Sequence, residues 1–316
     1  MKVALAQITP VWLNREATLM KVLDYVRYAA AAGSKLVTFG ETCVPGYPFW
    51  LAALRGAAWE DEANKQLHAR YLEQAVDIQR GDLDALTQLC KAMNIACYIG
   101  VLERPQDRGG HSVYASLVYI DDQGIIQSAH RKLQPTYDER LTWSPGDGNG
   151  LVTHKLNEFT VSGLNCWENW MPLARTALYG QGTNLHVAVW PGTDLNTGEI
   201  TRFIAREGRT YVISTSCYLR KEDLPEDIPF YHELMETLPE VISNGGSAAA
   251  GPDAHWILEP QTNGEDLFVV DVDLNQVYRE KHNFDAVGHY SRPDVLQLHV
   301  DRKRDTSVII KPPHTD

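Results

Sequence analysis

A surplus of positive charge is the first thing this sequence lacks: 29 lysines and arginines stand against 41 aspartates and glutamates, a formal net charge of −12. Nucleic acid asks for a basic face and an anionic membrane for a polybasic anchor, so both are poor partners for this chain. No stretch approaches the ~18 consecutive apolar residues needed to cross a bilayer. The opening MKVALAQITP lacks the long apolar run of a secretory signal and reads directly as a strand. Cysteines are few: Cys43, Cys90, Cys97, Cys166 and Cys217 are odd in number, scattered, and include no C-x-x-C pair. That argues against a zinc site or a disulfide framework and fits a reducing, cytoplasmic setting. A low-complexity linker is also missing, so the 316 residues are expected to form one domain, and 44% hydrophobic content is enough for a sizeable core.

What is present is an alternation of strands and helices. Strands are expected at 1–8, 34–41, 95–104, 112–121, 160–166, 185–190, 211–217, 255–259 and 267–273. Helices are expected at 14–33, 60–78, 82–94, 171–182 and 199–208. Asn14 is placed to cap the first helix, and Gly33 lies past its end. DDQG (121–124) makes a hairpin turn into IIQSAHRK, while CVPGYPFW (43–50) reads as an extended turn. Early and middle strands alternate with helices but 95–132 holds a hairpin, which points to mixed sheets covered by helices, a layered α/β sandwich. The last residues, RKRDTSVIIKPPHTD, read as a tail that needs a partner to be ordered.

Three strands end on reactive groups. Glu41 closes TFGE, Lys132 follows IIQSAHR, and Cys166 closes GLNC. Ligands gather at the carboxyl ends of strands in α/β folds, although any one of these residues could equally be a solvated edge. Together they offer a base, a permanent cation and a thiol, which is what nucleophilic attack on an unsaturated carbon–nitrogen bond requires. A thiol with its usual pKa near ~8.5 is mostly protonated at neutral pH and must be activated. Glu41 could accept its proton. Lys132, with a backbone N–H near Trp167, could stabilise developing negative charge. A helix starting near Pro172 is expected to add partial positive charge just after the cysteine.

The segments TFGETCVPGYPFW, HRKLQPTYDERLTWSPGDG, GLNCWENWMPLAR, HVAVWPG and GHYSRPDVLQL occur in an order and spacing that resemble the nitrilase superfamily of carbon–nitrogen hydrolases, and within it the nitrilases proper. The resemblance covers residues 1 to about 300. It implies a four-layer α-β-β-α sandwich, with a domain at 1–285 and a C-terminal extension at 286–316 that contacts another subunit. It also implies a Glu41–Lys132–Cys166 triad of base, electrostatic stabiliser and nucleophile. Glu139 in YDERLTW is matched to a second glutamate that holds Lys132 and helps position the hydrolytic water. Family members dimerise, and nitrilases proper often extend into spirals or filaments. No metal or organic cofactor is implied.

Cys-Trp-Glu at 166–168 resembles the nitrile hydrolysers, whereas amide-cleaving relatives often carry an aromatic residue and aspartate after the cysteine. A nitrile is linear and weakly polar, and an aromatic wall suits it. Trp143, Trp167 and Trp190, with Tyr47 and Phe49, are candidates for that wall and are equally candidates for core. An organic nitrile is therefore the expected substrate; a cyanide-handling enzyme or an amidase on the same scaffold is the alternative. A Cys–His protease fits poorly, because it leaves Glu41 and Lys132 unexplained. A non-catalytic scaffold fits poorly because all three reactive residues are present. Cys43, Cys90, Cys97 and Cys217 read as packing residues, with Cys43 close enough to Glu41 to line the pocket edge. His130 reads as a structural hydrogen-bonder, Glu168 as orienting the loop after the nucleophile, and His289 and Tyr290 as supporting the fold or a subunit contact. Two positions depart from the family pattern. Gly40 stands where proline is usual, suggesting added backbone freedom before Glu41, and alanines at 248–250 suggest looser packing.

Overall fold

The computed structural model describes residues 1–308 apart from 263, 305 and 307. Strand β1 (Lys2–Gln7) leads into helix α1 (Arg15–Ala31), where the Asn14 side chain accepts the Ala17 N–H. Thr18, Val22, Val26 and Ala29 recur on the buried face of α1, the spacing that turns one stripe of a helix to a core. Strand β2 (Leu36–Phe39) follows, then α2 (Trp50–Ala53), α3 (Glu62–Glu73) and α4 (Asp84–Met93). Next come β3 (Ala96–Glu103), β4 (Tyr114–Ile120), β5 (Ile126–Arg131), β6 (His154–Leu156) and β7 (Phe159–Asn165). After α5 (Pro172–Tyr179) the chain forms β8 (Leu185–Trp190), α6 (Asp194–Thr197), α7 (Ile200–Gly208) and β9 (Tyr211–Ser216). Short strands β10 (Tyr218–Arg220) and β11 (Val241–Asn244) flank α8 (Tyr231–Thr237). The last elements are β12 (Ser247–Ala250), β13 (Trp256–Gln261), β14 (Asp266–Asp271) and α9 (Leu274–Lys281).

Two six-stranded sheets result, ordered β14-β1-β2-β3-β4-β5 and β13-β12-β9-β8-β7-β6. Each has a parallel centre, β1–β2–β3 in the first and β7–β8–β9 in the second, with antiparallel flanks. The central strands read as nearly unbroken apolar runs because both of their faces are covered. Val3, Leu5, Tyr98 and Leu117 from the first sheet interdigitate with Phe159, Val187, Ile213 and Ala249 from the second. The outer face of the first sheet packs under α1 and α4 through Val22, Val26, Leu86 and Cys90. The outer face of the second packs under α5 and α7 through Tyr179, Ile204 and Ala205. This is the expected four-layer α-β-β-α sandwich.

The sheets come close where Glu41 leaves β2, and glycine makes that possible. A Cβ on Gly40 would lie 2.6 Å from the Cys217 sulfur and 2.8 Å from the Trp190 carbonyl, and one on Gly100 would lie 2.2 Å from the Gly40 carbonyl. Gly40 is therefore needed for space rather than for backbone freedom, because the Glu41 N–H donates 3.0 Å to the Trp190 carbonyl of the other sheet. Ala248, Ala249 and Ala250 are all fully buried, with Ala250 packed against Trp190 and Cys166. Small side chains suit a strand lying under α7 and beside bulky neighbours.

Several elements escape a sequence pattern. Strands β10, β11 and β12 are only three or four residues long, and α8 and α9 only seven and eight. No helix among the described residues is long and apolar enough to cross a membrane. Of the tail, Arg304 pairs with Asp147 at 3.1 Å and donates to the Ala129 carbonyl, so it is held by its own chain. Residues 305, 307 and 309–316 of the tail lie outside the described residues.

Candidate active site

Glu41 sits in the turn after β2, Lys132 directly follows β5, and Cys166 directly follows β7. Two sheets thus supply the three strand-end groups, and the structure brings them together. The Lys132 ammonium lies 2.8 Å from Glu41 Oε1 and 2.7 Å from Glu139 Oε2. A carboxylate oxygen of Glu41, one of Glu139 and the Cys166 sulfur all lie within 4.8 Å of one another. Such a donor set could hold a metal ion, but the Lys132 ammonium already sits against both carboxylates and supplies the positive charge. Glu139 belongs to a short 3-10 turn, Tyr137–Leu141, and is fixed on both oxygens: Tyr47 Oη donates to one at 2.8 Å, and the Thr136 N–H and Lys132 reach the other.

All four charged or nucleophilic side chains are essentially inaccessible to solvent. Burial pushes the Glu41 carboxyl well above the ordinary carboxylate range, and Glu139 adds to this, while Lys132 only partly opposes it. Burial opposes the charge on Lys132, but Glu41, Cys166 and Glu139 outweigh it and keep the ammonium protonated. The Cys166 thiol is raised well above its usual pKa, first by burial and then by Glu41, with Lys132 and the Trp167 N–H pulling the other way.

The resting nucleophile is accordingly a thiol, and this corrects the expected role of the helix at Pro172. Cys166 opens a 3-10 turn, Cys166–Trp170, and α5 starts only after it. The backbone N–H at the sulfur is therefore that of Trp167 rather than a group of α5. Cys166 itself has φ +47°, a left-handed conformation uncommon outside glycine and a frequent mark of functional turns.

The aromatic candidates divide. The Trp143 ring lies 5.3 Å from the Lys132 ammonium, its edge meets Tyr47 at 5.5 Å, and its Nε1 donates to Tyr71. Trp190 is fully buried and packs with Cys166. Phe49 packs on Tyr47 at 4.9 Å. Trp167 is 43% exposed and stacks on Trp170, and its Nε1 donates to Asn196. Its ring faces outward, while its backbone serves the site. Cys43 packs with Cys217 in the core beneath α1 rather than at a pocket edge, and Cys90 and Cys97 are buried as expected.

Two contacts have no counterpart in the sequence patterns. His130 Nε2 lies 3.0 Å from both oxygens of Glu168, joining residues read separately as structural. Asn169 donates to the Cys166 carbonyl at 2.9 Å, and its amide oxygen lies 2.8 Å from His186 Nε2, with Ser162 at the other ring nitrogen. Burial lowers His186 to about 3, so this imidazole stays neutral while it supports the nucleophile turn. Sequence signals existed only as a histidine two residues before Lys132 and polar residues after Cys166. Tyr290 is 60% exposed beside Phe284, and neither it nor His289 reaches the buried cluster.

Comparison with known proteins agrees with this geometry. The family model described as carbon-nitrogen hydrolase matches residues 2–281. The chain is similar to Nitrilase 2 from an unknown prokaryotic organism, 36% identical over 314 residues that cover 97% of this chain and 94% of that protein. It is 32% identical to an aliphatic nitrilase of Sinorhizobium fredii (strain HH103) over 310 residues, covering 98% of both. In fold it resembles an amidase from Nesterenkonia sp., with TM-score 0.61 and 18% identity over 90% of this chain and 95% of that one. Match, fold and strand-end chemistry agree: the chain belongs to the carbon-nitrogen hydrolase family.

Proposed function

We propose that this protein is a nitrilase, hydrolysing an organic nitrile to the carboxylic acid and ammonia through a covalent intermediate on Cys166. The observation that carries this reading is the buried Lys132 ammonium, held 2.8 Å from Glu41 and 2.7 Å from Glu139 beside a strained cysteine turn. The nitrilase names of the full-length relatives support the choice of substrate over an amide.

Glu41, its affinity for a proton raised by burial, takes the proton of the Cys166 thiol as sulfur attacks the nitrile carbon. Glu41 passes that proton on to the nitrile nitrogen, giving a neutral thioimidate and leaving Glu41 ionised again. Lys132 and the Trp167 N–H face the charge that develops there. A water molecule, held by Glu139 and deprotonated by Glu41, adds to the thioimidate carbon. Ammonia then leaves and a thioester remains. A second water cleaves the thioester, releasing the acid and returning the thiol. If the tetrahedral species instead expels Cys166, the product is the amide. Trp143, Trp190 and Tyr47 form the wall against which the substrate chain lies.

The enzyme works in the cytoplasm, as its free buried cysteines suggest. It works as an oligomer. Residues 286–302 lie along α5, where Leu173, Tyr290, Val295 and Leu296 are exposed and apolar enough to meet a second subunit. The domain then ends near 285, and spiral or filament growth would use this face. A panel of aliphatic, aromatic and arylacetonitriles, with ammonia, acid and amide all quantified, tests the assignment. Stoichiometric acid and ammonia from at least one nitrile is the expected result; turnover of amides alone would overturn it.

A further inference from the structure

Lys132 and Cys166 belong to different sheets, and no strand ladder aligns β5 with β7. Backbone pairing within a sheet cannot set their spacing, which depends on the packing of the two sheets and on contacts between the two strand ends. Glu168 is fully buried, and its carboxylate gathers N–H groups from both strand ends. The Leu133 N–H reaches Oε1 at 2.6 Å, the Asn165 N–H reaches Oε2 at 2.9 Å, and His130 Nε2 lies 3.0 Å from each. Leu133 and His130 flank Lys132, and Asn165 precedes Cys166.

We propose that Glu168 is a positioning residue: a buried carboxylate bolt between the two sheets that sets where the Lys132 ammonium stands relative to the Cys166 sulfur. The inference rests on the catalytic reading of those two residues and extends it. A carboxylate suits the task because it only accepts, and three N–H groups converge on its two oxygens. A glutamine there would turn an amide NH2 toward at least one donor. The carboxylate is kept ionised: burial opposes its charge, but His130 and the Leu133 and Asn165 N–H groups outweigh that and hold it below the ordinary range. Because the carboxylate accepts, His130 Nε2 carries the proton. Among the described residues His130 Nδ1 has no hydrogen-bond partner, and a Cβ on Gly150 would come within 2.8 Å of it. The imidazole thus serves as a single donor, a task a neutral amide of similar reach can perform.

Misplacing a reacting pair by about 1 Å costs on the order of 100-fold in rate. Glu168→Gln should therefore lower kcat about 100-fold while KM stays within about threefold, since no substrate contact is lost. A second readout needs no nitrile: the rate at which iodoacetamide alkylates Cys166 in the folded protein, followed across pH on the Cys166 peptide. Glu168→Gln and His130→Leu should slow that reaction at neutral pH and move its profile to higher pH, because Lys132 no longer favours the thiolate. His130→Gln, which keeps an N–H donor, should restore both kcat and the profile to near wild type. The His130 pair decides the matter should Glu168→Gln not fold. A wild-type alkylation profile in folded Glu168→Gln or His130→Leu would overturn the proposal, as would His130→Gln behaving like His130→Leu. A wild-type protein that hydrolyses no nitrile would sink the assigned function alone, since the alkylation profiles still report on Glu168.

Discussion

Glu41 and Glu168 are both fully buried glutamates close to Cys166, each facing a basic side chain, yet the protein treats them in opposite ways. Glu168 accepts from His130 and two backbone N–H groups, which outweigh its burial and hold it ionised. Glu41 has Lys132 at 2.8 Å, but among the described residues neither of its oxygens takes part in a well-directed hydrogen bond, and burial raises its proton affinity. A carboxylate whose lone pairs are all occupied can hold a structure together; one whose lone pairs are left open in a dry site can accept a proton. Hydrogen-bond supply, more than residue type or depth, separates the bolt from the base.

The comparison can be broken at its centre first. Cys166→Ala removes what both glutamates serve and should abolish ammonia release, at least about 10⁴-fold, in a protein with unchanged circular dichroism; persisting turnover would discard the triad. Glu41→Gln should lose about 10²- to 10⁴-fold in kcat/KM. In the wild type, kcat/KM should fall as pH drops through the raised Glu41 pKa, because the base must be ionised to take the thiol proton. That acid limb should lie well above the ordinary carboxylate range, and a limb near pH 4 would remove Glu41 from the role.

Stability sharpens the contrast, with the sign worked out for each residue. Glu168 titrates lower folded than unfolded, so its contribution is present above the ordinary carboxylate pKa and is lost as pH falls through its depressed folded value. Glu41 titrates higher folded, so its contribution is present at acid pH and is lost as pH rises from the ordinary range through the folded value. At neutral pH, Glu168→Gln should therefore lower stability by about 1–3 kcal/mol, whereas Glu41→Gln should leave it unchanged or raise it. Thermal melts of the two variants, run side by side at pH 7 and pH 5, check this. Two losses of equal size would erase the distinction drawn above. The smallest effect belongs to Trp167→Ala. Its ring is exposed and stacks on Trp170, so kcat should change less than about threefold. A loss of 100-fold would move that ring into the substrate wall.

Much of this site is legible along the chain because strands announce their own ends. Strands stop at TFGE, SAHRK and GLNC, and the residues just past their ends are the ones that converge. The hairpin through DDQG and the Asn14 cap are local and equally readable. The helix at Pro172 was legible as a helix but not as a distant one, because a 3-10 turn has no apolar period to mark it. Gly40 shows a different limit. Its meaning lies in Cys217 and Trp190, residues far along the chain that approach it only when the two sheets stack.

The sequence by itself determined which residues can react and at which strand ends they stand, because hydrophobic period and turn chemistry are properties of neighbouring residues. Only the tertiary structure decided what each buried charge does. Whether a glutamate is a bolt or a base, whether a cysteine rests as a thiol, and whether a tryptophan faces inward depend on donors and dielectric contributed by another sheet. Those reach a side chain through space and leave no trace in its own stretch of sequence.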